Sequence, residues 1–272
     1  MSEHNKRSAD DSMRDIAQLI VTHHRDLLRE MVEAYRRYIS LRFYKHHNGV
    51  IAHGPFAGQL LPEVIHWGHA DLAAMILGVY EREILTELTK APPKRQSLLI
   101  NIGAADGYYA IGLIRGGYFA RAVCYEMEAL GQETIRQAAA RNSVKDQIEV
   151  RGKASVELWS TFDDSELCDA TVLCDIEGGE YEVFNREVFK ALRHCEIIIE
   201  THRWAETESR NTRSLAQESS STHQTRLITM GARDLSSFPE LSALDDTARW
   251  LMCSEGRPYR MEWLCLDPII RA

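Results

Sequence analysis

Two short stretches gather much of the titratable chemistry of this chain. DIEGGE (175–180) carries Asp175, Glu177 and Glu180, and ETH (200–202) carries Glu200 and His202. Each comes at the end of an apolar, strand-like run, TVLC in one case and EIII in the other. Carboxylates beside an imidazole support two kinds of work. A histidine steered by a carboxylate can take the proton of a hydroxyl. Two carboxylates and an imidazole can instead hold a divalent cation, which lowers the pKa of a bound hydroxyl and orients it. Asp175, Glu200 and His202 are the candidates for both arrangements. Plainer roles also exist: Glu180 opening a helix and satisfying its dipole, Glu177 in solvent, and His202 packed in a loop beside Arg203 and Trp204.

A second constellation lies upstream. In LLINIGAADGYYAIGL (98–113) an apolar run breaks into a turn bounded by Gly103 and Gly107, with Asp106 inside it, and a helix pattern resumes at Tyr108. Glycines let backbone approach a ligand, and a helix N-terminus then points at it. A turn built for a pyrophosphate would read G-x-G-x-x-G and avoid an acid. This acidic turn suits positive charge, such as the ammonium and sulfonium of S-adenosylmethionine. Glu126 falls 23 positions after Gly103, at the end of the next strand, where an acid accepts hydrogen bonds from ribose hydroxyls. Gly152, Lys153, Ala154 and Ser155 follow the third strand; they either flank an adenine or form an ordinary turn with Ser155 capping a helix.

These residues need a frame. The apolar runs 98–102, 122–126, 148–150, 171–176 and 196–200 each precede a longer amphipathic or polar stretch, which predicts a parallel sheet wrapped by helices, doubly wound because crossovers are right-handed. RDLSSF (233–238) and MEWLCLD (261–267) are expected to add an antiparallel pair at the sheet edge. Residues 205–225, polar and serine-rich, are expected to form a lid or an exposed helix. Before the sheet, Met13, Ile16, Ile20, Leu27, Met31 and Tyr35 recur at helical steps and predict one long helix. Its other face carries Arg25, Arg29, Arg36 and Arg37. A second helix is expected over HADLAAMILGVYEREILTELTK (69–90), stopped by Ala91-Pro92-Pro93. The basic stretch 36–47 invites a phosphate-bearing acceptor such as a nucleotide-linked sugar; the alternative is a solvated face in which Glu33 pairs with Arg37.

At 272 residues and 44% hydrophobic, the chain can bury a full core. Forty acids against 32 bases, a net charge of −8, have the wrong sign for general nucleic-acid binding, so no DNA partner is expected. The six cysteines form no CxxC pair; buried free thiols and a cytoplasmic location are expected. No apolar run is long enough to span a membrane.

The order NIGAADGYYA, CYEME, DIEGGE, IIIETH resembles the class I S-adenosylmethionine-dependent methyltransferases. DIEGGE resembles the D-x-E-G-x-E signature of their FkbM-like branch, many of whose members O-methylate sugars and natural products. The likeness spans about residues 50–205 and includes GPFAG and GVYERE. It implies a mostly parallel, seven-stranded Rossmann-like sheet over residues 91–272. Residues 1–90 are expected to form an N-terminal helical extension, whose apolar stripe can pack on the second helix or on a partner subunit; a cap over the active site that also forms a homodimer is the expectation. The likeness also implies cofactor contacts at Asn101, Gly103, Ala104, Asp106, Gly107, Tyr108, Glu126, Met127, Ala154 and Asp175, and methyl transfer to the oxygen of a small-molecule or glycan acceptor, with Mg2+ as an optional helper. One departure matters: Asn101 stands where most class I enzymes carry an acid, which moves the hold on the methionine ammonium to Asp106 or Glu81. Competing readings are a methyltransferase acting on protein or RNA, and an inactive cofactor-binding subunit that regulates a partner. A nicotinamide dehydrogenase is disfavoured by Asp106 and the missing middle glycine.

Overall fold

The computed structural model describes residues 9–23, 25–90, 98–257 and 259–269. Its centre is a seven-stranded sheet of β1 (Leu98–Ile102), β2 (Arg121–Tyr125), β3 (Ile148–Arg151), β4 (Ala170–Cys174), β5 (Glu196–Thr201), β6 (His223–Thr229) and β7 (Glu262–Pro268), in the order β3-β2-β1-β4-β5-β7-β6. The first five strands are parallel, while β7 lies antiparallel to both β5 and β6. Every residue of β1 and β4 is buried, as expected for strands covered on both faces. Strand alternation divides the core in two. Leu99, Cys124, Leu173, Ile198 and Trp263 face one layer, which they share with Phe56, Leu72, Ile84 and Ile111. Ile100, Val123, Val172, Ile197 and Leu264 face the other, with Trp159, Phe184, Phe189 and Leu215.

The helices are α1 (Ala9–His23), α2 (Arg25–His46), α3 (Leu72–Ile76), α4 (Arg82–Leu88), α5 (Tyr108–Arg115), α6 (Ala129–Arg141), α7 (Asp164–Leu167), α8 (Glu180–Val183), α9 (Arg186–Ala191), α10 (Thr212–Ser219) and α11 (Asp246–Cys253). None among the described residues is long and apolar enough to cross a membrane. The cysteines are free thiols, and five of the six are buried.

Several expectations need correction. The expected N-terminal helix runs through α1 and α2, with residue 24 between them outside the described residues. Its stripe does not pack on the second helix: Met13, Ile16, Leu27 and Met31 are each more than half exposed. Placement of the Ile20 and Arg25 side chains lies outside the described residues, as does the Ala91-Pro92-Pro93 stop. Arg36 is no solvent cation. It is buried, bonding Glu33, Asp71 and the Ser254 carbonyl at 2.5–2.7 Å, so Glu33 pairs with Arg36 rather than Arg37. The second helix breaks into α3 and α4. Gly78 turns there at φ 67°, where an added Cβ would sit 2.3 Å from the His53 carbonyl oxygen.

The partner of β7 is His223–Thr229 rather than RDLSSF. Asp234 ties that segment into a single tight turn by accepting from Ser236 N at 2.9 Å. β6 hides its identity because it is an edge strand with charged, exposed positions: Arg226 bonds Asp267 and Glu87 across the edge, a device that protects an open ladder. Within 205–225, helix α10 forms as expected, but Leu215 anchors it in the core, so this helix is no detached lid.

Candidate functional site

β1 and β4 are neighbours whose connections run to opposite sides, so the crevice beyond their carboxyl ends is the topological switch point, where ligands bind in open α/β sheets. The turn after β1 fills one side of it. Gly103 and Ala104 donate backbone N–H to the Tyr125 carbonyl at 2.9 and 3.0 Å. Gly103 is required for a reason the sequence did not reveal. A Cβ there would lie 1.7 Å from the Asp175 carbonyl oxygen, so the glycine accommodates the loop after β4. Gly107 opens α5 at φ 82°, a left-handed conformation suited to glycine.

Glu126 sits just past β2. Its carboxylate accepts from the Ala105 N–H at 2.9 Å and the Glu128 N–H at 2.8 Å. Two of its four lone-pair positions stay open. Helix α6 makes room with Gly131, where a Cβ would fall 2.8 Å from Glu126 Cγ. A glycine inside a helix pattern was the available signal for this contact. Around Glu126 opens a cavity of about 400 Å³ lined by Tyr125, Met127, Lys153, Ala154, Ile176 and Val183. Met127 stands exposed at its rim.

A smaller, more enclosed chamber of about 70 Å³ adjoins it, with Asn101, Tyr108, Tyr109, Glu81, Met75 and Trp263 in its wall. Trp67, Gly103, Ala105 and Asp175 line both spaces. Asp106 Oδ2 accepts from His66 N and Trp67 N, each at 3.0 Å, which fixes the Trp67 segment over the crevice. Asp106 Oδ1 is buried without a partner, and burial raises this carboxyl above its ordinary range.

Glu81 is fully buried and holds φ 43°. It accepts from Tyr109 Oη and from Arg257, whose other nitrogen bonds Glu200 Oε1 at 2.9 Å. Burial lifts the Glu81 carboxyl to about 7. Burial works against the Arg257 charge, but Tyr80, Glu81 and Glu200 more than restore it. Arg257, 57 residues from Glu200 and in a loop, gave no signal in the sequence.

The carboxylates and histidine after β4 and β5 come together. Glu180, at the start of α8, is wholly buried. Its Oε1 accepts from His202 N at 2.9 Å and pairs with His202 Nδ1 at 3.1 Å, while Oε2 accepts from Gly178 N at 2.9 Å. Glu180 is thus the rear support of the imidazole, a role beyond satisfying a helix dipole. His202 Nε2 then faces Asp175 Oδ1 at 3.7 Å, Glu200 Oε2 at 3.7 Å and Glu177 Oε2 at 3.6 Å. These distances are too long for hydrogen bonds. Nε2, Asp175 Oδ1 and Glu200 Oε2 are all buried without partners, and the three lie within 4.8 Å of one another. Burial, then the Asp175 and Glu81 charges, pushes the Glu200 carboxyl up to about 11. For His202, burial opposes the charged form, but the Glu180 hydrogen bond and the Asp175 charge outweigh it and raise the imidazole.

No protein-family model and no curated protein matches the chain. Among solved structures, the chain is similar to a geranyl diphosphate methyltransferase in complex with its diphosphate ligand and sinefungin: 12% identity over 88% of this chain and 98% of that one, TM-score 0.48. It is similar to a precorrin-6y C5,15-methyltransferase from Geobacter metallireducens at 11% identity, covering 70% and 88%, TM-score 0.47. A putative tRNA (m1A22) methyltransferase from Streptococcus pneumoniae, bound to S-adenosyl-L-methionine, gives 13% identity over 67% and 71%, TM-score 0.44.

Proposed function

We propose that this chain is an S-adenosylmethionine-dependent methyltransferase that methylates an oxygen of a small-molecule or sugar-containing acceptor. The observation that carries the proposal is the divided crevice at the switch point. Its outer space has a carboxylate, Glu126, braced by two backbone amides with lone pairs to spare, and its inner chamber is acidic and aromatic. The outer space fits an adenosine, with Glu126 on the ribose hydroxyls and Ala154 and Met127 beside the base. The inner chamber fits a methionine end, with the unpartnered Asp106 Oδ1 receiving the ammonium and Asn101, Gly103, Ala104, Gly107 and Tyr108 forming the surrounding wall. When bound, the cofactor supplies a methyl group on a sulfonium. The chain's part is to align an acceptor with that methyl in a dry space, and to take up the acceptor's proton.

Asp175 belongs to both spaces and to the Asp175–Glu200–His202 cluster, so proton removal is assigned there. In one arrangement His202, steered by Glu180, serves as the base. In the other, the same three groups hold a divalent cation, Mg2+ being the one expected from sequence. An acidic crevice disfavours phosphate-rich acceptors, and the buried Arg36 removes one cation from the supposed phosphate face. Calorimetric titration with S-adenosylhomocysteine tests the proposal. Tight binding by wild type that is lost in Glu126→Ala supports it; no binding by folded protein, or NADH binding in its place, defeats it.

The N-terminal extension, residues 1–90, is proposed to join two copies. Along α2, Leu27, Met31, Ala34, Tyr38 and Leu41 recur at steps of four and three, a coiled-coil seam, and Leu27, Met31 and Tyr38 are about half exposed or more. Glu30 and Arg37 flank this seam. Paired antiparallel about Ala34, Glu30 of one copy meets Arg37 of the other; a parallel pair would set Arg37 against Arg42. Sedimentation velocity should find a dimer that Met31→Glu converts to monomer, and a monomeric wild type at tens of micromolar, the usual range for weak association, would refute it.

A further inference from the structure

We propose that Asp175 Oδ1, Glu200 Oε2 and His202 Nε2 form a binding site for a divalent first-row transition-metal ion such as Mn2+, in preference to Mg2+. As a binding site it stands on its own geometry; as part of catalysis it rests on the methyl-transfer proposal.

Three features point to it. The first is the set of unpartnered atoms. Two carboxylate oxygens and an imidazole nitrogen converge in the interior, each without a hydrogen-bond partner, an arrangement that costs free energy unless a proton or a cation joins them. The second is the tautomer. Glu180 Oε1 already accepts the His202 N–H from the backbone and lies 3.1 Å from Nδ1. Nδ1 therefore carries the ring proton of the neutral imidazole, and the Nε2 lone pair points at Asp175 and Glu200. Metal-binding histidines are commonly fixed this way, with the far nitrogen donating to a carboxylate. The third is spacing. Adjacent ligands of an octahedral ion with bonds of about 2.1–2.2 Å stand roughly 3 Å apart. Nε2 lies 3.7 Å from each carboxylate oxygen, so it needs to close on each by less than an ångström around an ion.

The donor set selects the metal. Mg2+ prefers oxygen ligands and retains its waters, whereas imidazole suits the later divalent ions and mixed nitrogen and oxygen sets suit Mn2+ or Fe2+. Glu200 is braced on its far oxygen by Arg257, and His202 by Glu180. The two interior ligands are thus oriented from behind while Asp175 faces the crevice. Glu177 Oε2, 3.6 Å from Nε2 on a half-exposed side chain, stands on the open side, where it can complete the shell or yield to an acceptor oxygen.

The test uses full-length protein freed of metal by chelation. MnCl2 and MgCl2 are titrated separately by calorimetry, Mn2+ is followed by electron paramagnetic resonance, and folding is monitored by circular dichroism. Expected is one equivalent of Mn2+, bound at least about tenfold more tightly than Mg2+. Glu200→Gln and Asp175→Asn should abolish this binding. Glu180→Gln, which touches no ligand position but its histidine, should weaken it about ten- to a hundredfold. Folded wild type that binds no Mn2+, that binds Mg2+ equally well, or whose Mn2+ binding survives both Asp175→Asn and Glu200→Gln would overturn the proposal. S-adenosylhomocysteine titrated into the same metal-free sample reads the methyl-transfer proposal separately: its binding without Mn2+ binding sinks only the metal site, and the reverse result sinks only the cofactor reading.

Discussion

Replacing Gly131 with alanine separates the cofactor role proposed for Glu126 from the stability of the helix packed against it. The added methyl would lie 2.8 Å from Glu126 Cγ, 3.1 Å from Cδ and 3.3 Å from the Ala105 carbonyl oxygen, so the carboxylate must move. It now holds two backbone amides at 2.8 and 2.9 Å. Weakening one such charge-assisted bond costs about 1.5–3 kcal/mol. Against this, alanine inside α6 gains roughly 1 kcal/mol of helix propensity. The net loss should be about 1 kcal/mol, a melting shift of about 2–4 °C at this chain length. Cofactor affinity has no such offset. A displaced Glu126 forfeits a ribose hydrogen bond of similar strength, which corresponds to about a tenfold loss or more. Differential scanning fluorimetry and calorimetry with S-adenosylhomocysteine on the same preparation read both quantities. If Gly131→Ala binds within about twofold of wild type, a difference below 0.5 kcal/mol, Glu126 is not the ribose acid.

Glu180→Ala should destabilise the protein by at least about 3 kcal/mol in urea, because it strands the buried His202 N–H, the half-buried Gly178 N–H and an imidazole; a loss under about 1 kcal/mol would contradict its role as a buried support. Burial, opposed by Arg36, lifts the Asp71 carboxyl from 3.8 to about 6. The folded chain then holds that proton more tightly than the unfolded one, so this contribution is full below about pH 4 and fades as pH rises through about 6, by roughly 3 kcal/mol in all. Asp71→Asn should flatten that slope in pH-dependent denaturation, and an unchanged slope would refute the assignment. Asp106→Ala should free the His66–Trp67 segment, read as a change in Trp67 emission and faster proteolysis near residues 62–69; identical cleavage in both proteins would mean that other contacts fix the segment.

The parallel half of the sheet was legible because fully buried strands read as apolar runs: LLINI coincides with β1, and the other four were found to within one or two residues. The antiparallel edge was not legible, since β6 opens on the polar residues 223–226 and is largely exposed at its edge position, and RDLSSF imitated a strand only by composition. The cluster of Asp175, Glu200 and His202 was legible because strand ends in a parallel sheet converge. Glu180 was visible but misjudged: its position suggested a dipole, while its carboxylate reaches back to the loop after β5. Arg257 and Trp67 reach the crevice from distant segments, and only the packing of loops discloses them.

The contact between Gly103 and the Asp175 carbonyl has a consequence for how two ligands sense each other. With no space between the turn after β1 and the loop after β4, neither can shift alone, so ordering one orders the other. A ligand that settles the first turn leaves less conformational entropy to be lost when the second loop takes its own. Binding of a cofactor at the first turn and of an acceptor or ion at the loop after β4 is then linked, and by reciprocity each tightens the other by the same factor.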